Sequence, residues 1–220
     1  MTKKIVTRFA PSPTGYLHIG GVRTALFNFV FSRKNNGTFL VRIEDTDKER
    51  SEEQYIDAIM DGLDWVGLNP DHEPIKQSDR FNIYEDEALR LVEEGKAYKD
   101  DGAIRLKVNK EGSTLVKDLV YGDIEFLNKE LDDLVILRSD SSPTYHFCNV
   151  IDDNFQQVTH IIRGEDHLPN TPKQIQIVNA LKYDGFEYAH LPLVLGEDKK
   201  RLSKRHAATD LMSYKEEGYL

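Results

Sequence analysis

The sequence predicts an α/β protein: a split domain built on a parallel sheet, with a lobe inserted at about residues 97–145. Three observations point there. Strand-like and helix-like patterns alternate at both ends of the chain, which calls for parallel strands joined by helical crossovers. The middle instead holds short strand-like runs separated by turn residues, as in an antiparallel lobe. The 220 residues, 39% of them hydrophobic, suffice for one substantial core and a smaller lobe.

Residues 3–9 read as a buried strand. Residues 10–17 form a loop, broken by Pro11, Pro13 and Gly15. Val22, Ala25, Leu26, Phe29 and Val30 then recur at helical spacing and define an apolar face. Asn35, Asn36 and Gly37 stop that helix. Thr38–Ile43 is the second strand. Ser51 and Gln54 have capping-box spacing, ahead of a helix carrying Tyr55, Ile56, Ile59, Leu63 and Val66. Ser78 opens another, running through Tyr84, Leu89 and Leu91 to Gly95. Residues 103–108, 115–121 and 134–138 are the short strands of the lobe. Strand character returns at 158–163. Pro172 opens a helix through Ile175, Ile177 and Val178 to about Leu181. Residues 191–195 read as a further strand and 210–217 as a short helix. The expected organisation is a first half at 1–96, a lobe at 97–145 and a second half at 146–220.

Composition excludes several classes. A net charge of −9 argues against a protein that coats nucleic acid generally. It leaves room for a local basic surface, and Lys199, Lys200, Arg201, Lys204 and Arg205 supply one. The single cysteine, Cys148, rules out an internal disulfide and a cysteine-built zinc site. No apolar run approaches the roughly 20 residues that span a bilayer. The first residues lack the apolar block of a secretory signal. A cytoplasmic protein with no membrane attachment is expected.

Four groups of residues could carry chemistry. In the first, a strand delivers the chain to a proline-rich loop that feeds a helix. Backbone N–H groups at such a helix start bind anions, Gly20 and Gly21 permit close approach of a nucleotide, and His18 can donate to a phosphate oxygen. Arg8 and Ser12 converge on the same place; a plain turn with a surface histidine is the bland alternative. The second is Lys200 to Arg205, a basic loop able to close over a triphosphate and offset developing charge, or simply an exposed loop. The third is Glu44 to Asp47 after the second strand, suited to an ammonium group or to the start of the next helix. The fourth is Arg163 to His167 after a strand, at the carboxyl end where open α/β sheets bind ligands. Arg163 can bind a carboxylate bidentately, or make a structural ion pair. Tyr145 and Asn149, four apart, share a face if helical.

In this order the motifs resemble the glutamyl-tRNA synthetases, which are class I aminoacyl-tRNA synthetases. The run from Thr7 to Gly21, Arg42-Ile43-Glu44-Asp45-Thr46-Asp47, Asp152-Asp153, Ile162 to His167 and Arg201 to Arg205 are similar to successive blocks of that family. The resemblance implies a Rossmann-like catalytic domain that activates glutamate with ATP and passes it to tRNA. It implies that His18 and Lys204 stabilise the transition state at the α-phosphate. It places Gly20, Gly21, Asp166, Arg201 and Ser203 with them around ATP. It assigns Arg8, Ser12, Glu44, Tyr145, Asn149 and Arg163 to the glutamate pocket. The implied substrates and partners are L-glutamate, ATP with Mg²⁺ and the acceptor end of tRNA-Glu, with no resident zinc or other protein-bound metal, and a monomeric state.

The chain departs from the family at three places. Gly21 stands for the second histidine of the class I signature, as is usual in glutamyl enzymes. Arg201 replaces the first lysine of the lysine-serine loop. The stretch from Ala97 to Ala103 is abrupt where members carry several dozen more residues, so a shortened acceptor-binding lobe is expected, and the anticodon-binding domain is absent from the sequence. Two other readings are a paralogue that glutamylates a queuosine base of tRNA and a catalytically silent scaffold that binds tRNA or a partner protein.

Overall fold

The computed structural model describes residues 4–47, 50–194 and 211–219. Strand β1 (Val6–Phe9) leads through a loop into helix α1 (Ile19–Lys34), and β2 (Thr38–Ile43) returns beside β1. All six β2 residues are buried, as a parallel strand covered on both faces requires. Helix α2 (Glu53–Trp65) leads to the two-residue strand β3 (Ile75–Lys76), and α3 (Phe81–Glu93) follows a short 3-10 turn. Helix α4 (Tyr145–Phe155) precedes β9 (His160–Gly164), and α5 (Thr171–Leu181) connects β9 to β10 (Glu187–Leu191). Helix α6 (Leu211–Glu216) is the last described element.

The central seven-stranded sheet has the order β3-β2-β1-β9-β10-β6-β7, where β6 is Ser113–Asp118 and β7 is Gly122–Leu127. Every neighbouring pair is parallel except β6–β7. Strand β1 therefore has β2 on one side and β9, some 150 residues later, on the other. This is a topological switch point, where the carboxyl ends of adjacent strands open a crevice. One apolar cluster packs α1 and α2 on β1 and β2 through Phe9, Val22, Phe39, Val41, Ile59 and Leu63. A second joins α3, α4 and α5 through Tyr84, Leu91, Phe147 and Ile177.

The middle of the chain divides. Strands β4 (Ala97–Asp100), β5 (Ala103–Leu106) and β8 (Leu134–Leu137) make a separate antiparallel sheet. The β4–β5 hairpin closes on Asp101 and Gly102, at φ 46° and 80°, the positive pair that a tight primed turn demands and that Asp-Gly favours. The β6–β7 hairpin instead extends the central sheet, through Tyr188 paired with Asp118. No helix among the described residues is long and apolar enough to cross a membrane.

Several sequence expectations need correction. Leu26 and Val30, placed on the inner face of α1, are exposed. The buried face carries Asn28 and Ser32 instead. Asn28 is drawn inward because its Nδ2 donates to the carbonyl of Ile162 at 2.9 Å, while its own carbonyl accepts from Thr7 Oγ1 at 2.9 Å. The capping box at Ser51 does not form. Helix α2 is preceded by Glu52 with no side-chain cap, and Ser51 Oγ is buried without a partner. The strand expected at 191–195 ends at Leu191; it is residues 187–191 that pair with β9, and Pro192 has no N–H with which to continue. The run 115–121 is a strand only to Asp118, where a turn begins.

The turn that returns α1 to β2 leaves no room for a side chain at Gly37. A Cβ there would lie 2.4 Å from the carbonyl oxygen of Ile5, which is already held by Thr38 N–H at 2.8 Å. Gly37→Ala is expected to cost about 1–3 kcal/mol, because the obstruction is backbone. Urea unfolding measures it, and a loss below about 0.5 kcal/mol would show that the turn yields freely.

Candidate active site

A cleft of about 670 Å³ opens beyond the carboxyl ends of β1 and β9, between the N-terminal ends of α1 and α4, the size of an ordinary small-molecule site. Arg8, Ser12, His18, Gly20, Gly21, Glu44, Tyr145, Asn149, Arg163 and Asp166 all line it. Arg201, Ser203 and Lys204 lie outside the described residues.

One wall is a buried charge network. Asp153, on α4, accepts from Arg8 Nε at 2.9 Å and Nη2 at 3.3 Å, and from Arg42 Nη1 at 2.6 Å. Arg42 is fully buried and fans outward: Nη2 donates to Asn149 Oδ1 at 2.8 Å and to Glu44 Oε1 at 3.3 Å, and Nη1 to Gln156 at 3.1 Å. Burial pushes the Asp153 carboxyl up, but the two guanidiniums outweigh it and hold it below the usual range. For Glu44 burial wins over Arg42 and Arg8, and its carboxyl is raised. The neighbouring Asp152 faces the other way, accepting from Gln77 at 2.8 Å, Arg80 at 2.8 Å and Tyr84 at 2.7 Å. Consecutive acids on one helix thus serve the cleft and the scaffold separately.

Arg163 is different. It is 6% exposed, and among the described residues no carboxylate pairs with it. Its Nε donates to His190 Nε2 at 3.1 Å and its Nη2 to Thr171 Oγ1 at 2.8 Å, while Nη1 has no partner. Both partners are neutral, so the positive charge beside the cleft has no carboxylate in direct contact among the described residues; burial lowers its pKa most, and Arg8 lowers it too, against Tyr145 and the more distant Asp153, which favour the charge. Such a charge is costly unless an anion arrives. Tyr145 stands nearby, its hydroxyl pushed up to about 12 chiefly by burial. It shares a hydrogen bond with His167 Nδ1 at 3.1 Å.

The opposite end suits an anion of another kind. His18 is the N-cap of α1, and its Nδ1 accepts from Gly21 N–H at 3.1 Å. With Nδ1 accepting, a ring proton can sit only on Nε2. A Cβ at Gly20 would meet the His18 ring at 3.1 Å, and one at Gly21 would meet Leu17 at 2.9 Å. Glycine at both positions therefore leaves the His18 ring and Leu17 in place, at a helix start whose N–H groups suit an anion.

The structure settles some open readings and adds residues that the sequence reading missed. Asp45 is structural: it accepts from Ser78 N–H at 2.8 Å and Ser78 Oγ at 2.6 Å. Asp47 is exposed and paired with Arg50 at 3.9 Å, and neither acid lines the cleft. Arg23 lines it and was not singled out, and His167, the last residue of the fourth group, lines it without having been given a role. Arg42 and Asp153 were noted as parts of motifs without a role, although an arginine inside the apolar strand Thr-Phe-Leu-Val-Arg-Ile demands a buried acid.

The chain matches the family model described as tRNA synthetases class I (E and Q), catalytic domain, over residues 4–103 and 100–220. The two matched segments meet at the β4–β5 turn. The glutamate–tRNA ligase of Thermodesulfovibrio yellowstonii is 50% identical over an alignment of 249 positions that takes in 97% of this chain and 54% of that protein. That of Trichlorobacter lovleyi is 47% identical over 97% of this chain and 54% of its own length. A crystal structure of a glutamate tRNA ligase from Elizabethkingia meningosepticum, in complex with its amino acid, superposes with a TM-score of 0.83 at 31% identity. It covers 99% of this chain and 54% of that one. The chain spans about half the length of the curated relatives it matches.

His146, beside Tyr145 on α4, has its pKa lowered to about 4, first by burial and then by Lys173 and Arg163; its Nδ1 is buried without a partner. The unfolded chain, with an ordinary histidine near 6.5, takes up this proton first as pH falls. The neutral ring's contribution is therefore whole above about pH 6.5 and is lost on acidification towards about pH 4. Unfolding midpoints across that window should fall less steeply in His146→Gln than in the parent; parallel slopes would remove His146 as a contributor.

Proposed function

The chain belongs to the class I tRNA synthetases (E and Q), matching their catalytic domain, and from that premise we propose that it is the catalytic core of a glutamate–tRNA ligase. It activates L-glutamate with ATP and transfers the glutamyl group to the 3′ end of tRNA-Glu. The observation that carries this reading is Arg163: a buried guanidinium with an unpartnered nitrogen and no acid in contact with it among the described residues, at one end of a cleft whose other end is a helix N-terminus that carries two glycines after His18. A dicarboxylate amino acid suits the first end and a nucleotide triphosphate the second. Arg8 and Arg163 face the two carboxylates, Glu44 the ammonium, and Ser12, Tyr145 and Asn149 complete the pocket. Asp166 serves the nucleoside.

The reaction needs no enzyme nucleophile. The glutamate α-carboxylate attacks the ATP α-phosphate and displaces pyrophosphate; a terminal ribose hydroxyl of tRNA then takes the acyl group. The protein contributes alignment and stabilisation of charge at the α-phosphate, by His18 from the helix start and by Lys204, with Arg201 and Ser203, from the basic loop. Among the described residues no group of three His, Cys, Asp or Glu could hold a metal. Magnesium, which binds readily through phosphates and keeps several waters, would be held on the phosphates of ATP. We assign residues 97–145 to the acceptor end of the tRNA, with 1–96 and 146–220 as the two halves of the catalytic domain, and propose a monomer acting in the cytoplasm.

ATP–pyrophosphate exchange, run with and without tRNA-Glu, tests the proposal. Exchange should depend on glutamate and not be supported by glutamine. Arg163→Ala should raise the KM for glutamate at least about 30-fold, the loss of a charge-assisted hydrogen bond, and leave that for ATP within about threefold. Equal exchange with glutamine, or an unaltered KM in the variant, would contradict the assignment.

A further inference from the structure

Arg163 lines the cleft, but the residues that set its direction do not. Behind it lies His190, fully buried on β10, and behind His190 lies Asp118, at the end of β6. We propose that His190 is a positioning residue, which accepts from Arg163 and fixes the plane of its fork, while Asp118 sets the tautomer of the imidazole. The inference rests on the glutamate reading above.

The hydrogen bonds leave one protonation pattern. Arg163 Nε can only donate, so His190 Nε2, 3.1 Å away, accepts. The ring proton therefore sits on Nδ1, which donates to Asp118 Oδ2 at 2.6 Å. The same carboxylate accepts from the backbone N–H groups of Val120 at 2.9 Å, Tyr121 at 3.0 Å and His190 at 3.1 Å. Asp118 thus caps the hairpin turn and orients the imidazole together. On the other side, Thr171 Oγ1 accepts from Arg163 Nη2 and lies 3.1 Å from His190 Nε2. A planar guanidinium held at Nε and Nη2 has its orientation fixed, and Nη1, buried, has no partner.

The choice of an imidazole has a physical reason. A carboxylate directly behind Arg163 would hold the fork equally well, but it would neutralise the charge and compete with a substrate carboxylate. Neutral His190 accepts the hydrogen bond without cancelling the charge, and Asp118, one residue further back, spends its own charge on N–H donors. Arg8 follows the other design, since Asp153 pairs with it directly. The two arginines of the pocket are therefore unequal: Arg163 is the more strongly attracting.

Two substitutions separate the acceptor from its backing. In His190→Gln the longer amide can accept from Arg163 but leaves Asp118; in His190→Asn the amide can reach Asp118 but not Arg163. Glutamate affinity by calorimetry should fall at least about 10-fold in His190→Asn and stay within about threefold of the parent in His190→Gln. ATP affinity should stay within about twofold in both. Glutamate affinity unchanged in His190→Asn, or lost equally in both variants, would overturn the positioning role. A parent chain that binds ATP but not glutamate would overturn the glutamate reading and this inference with it. Nitrogen NMR of the unmutated chain gives a check that needs no variant: His190 should be the Nδ1–H tautomer, and a proton found on Nε2 would overturn the proposal.

Discussion

The site depends on one carboxylate. Asp153 reaches from α4 to both β1 and β2, and its two oxygens hold Arg8 and Arg42 side by side in the interior. Two buried guanidiniums at that separation repel each other strongly where the dielectric is low. Their shared anion converts the repulsion into a clamp between the sheet and the helix. Arg42 carries the clamp outward to Asn149 and Glu44, so three residues that face the cleft take their positions from a single acid that does not.

The charge of the cleft follows. Asp153 offsets one of the two arginines it touches, Glu44 stands close to the other with a raised pKa, and Arg163 has only neutral partners. The cleft is thus positive at its base, in a chain whose net charge is −9. Buried charge of this kind lowers stability, and folds retain it at sites where a ligand supplies the missing anion. Stability is recovered elsewhere: Asp152, one residue away, is bonded by Gln77, Arg80 and Tyr84 and fastens α4 to the scaffold.

How much of this was legible in the sequence depended on distance along the chain. Strand β2 was read with its observed bounds because six contiguous residues carry the signal and nothing outside them changes it. Strand β7 was not read: Gly-Asp-Ile-Glu-Phe-Leu alternates over only four residues, Asp123 to Phe126, and it is mostly exposed at the sheet edge. The inward turn of Asn28 depends on a carbonyl 134 positions away. The ten cleft residues that were named fall mostly in short motifs at strand ends and helix starts; position suggested a ligand there, and the resemblance supplied the assignments. The strand around Arg42 announces the need for an acid but not which one, since Asp153 lies 111 positions away; Asp118 and His190, 72 positions apart, are announced by no local pattern.

Equilibrium unfolding of Asp153→Asn tests the central claim most directly. The substitution keeps the shape of the side chain and removes the charge, leaving Arg8 and Arg42 buried against each other. A loss of about 3–5 kcal/mol is expected for a buried pair broken from one side. A loss under about 1 kcal/mol would show that the two arginines do not need this acid, and that the cleft is held open by other means.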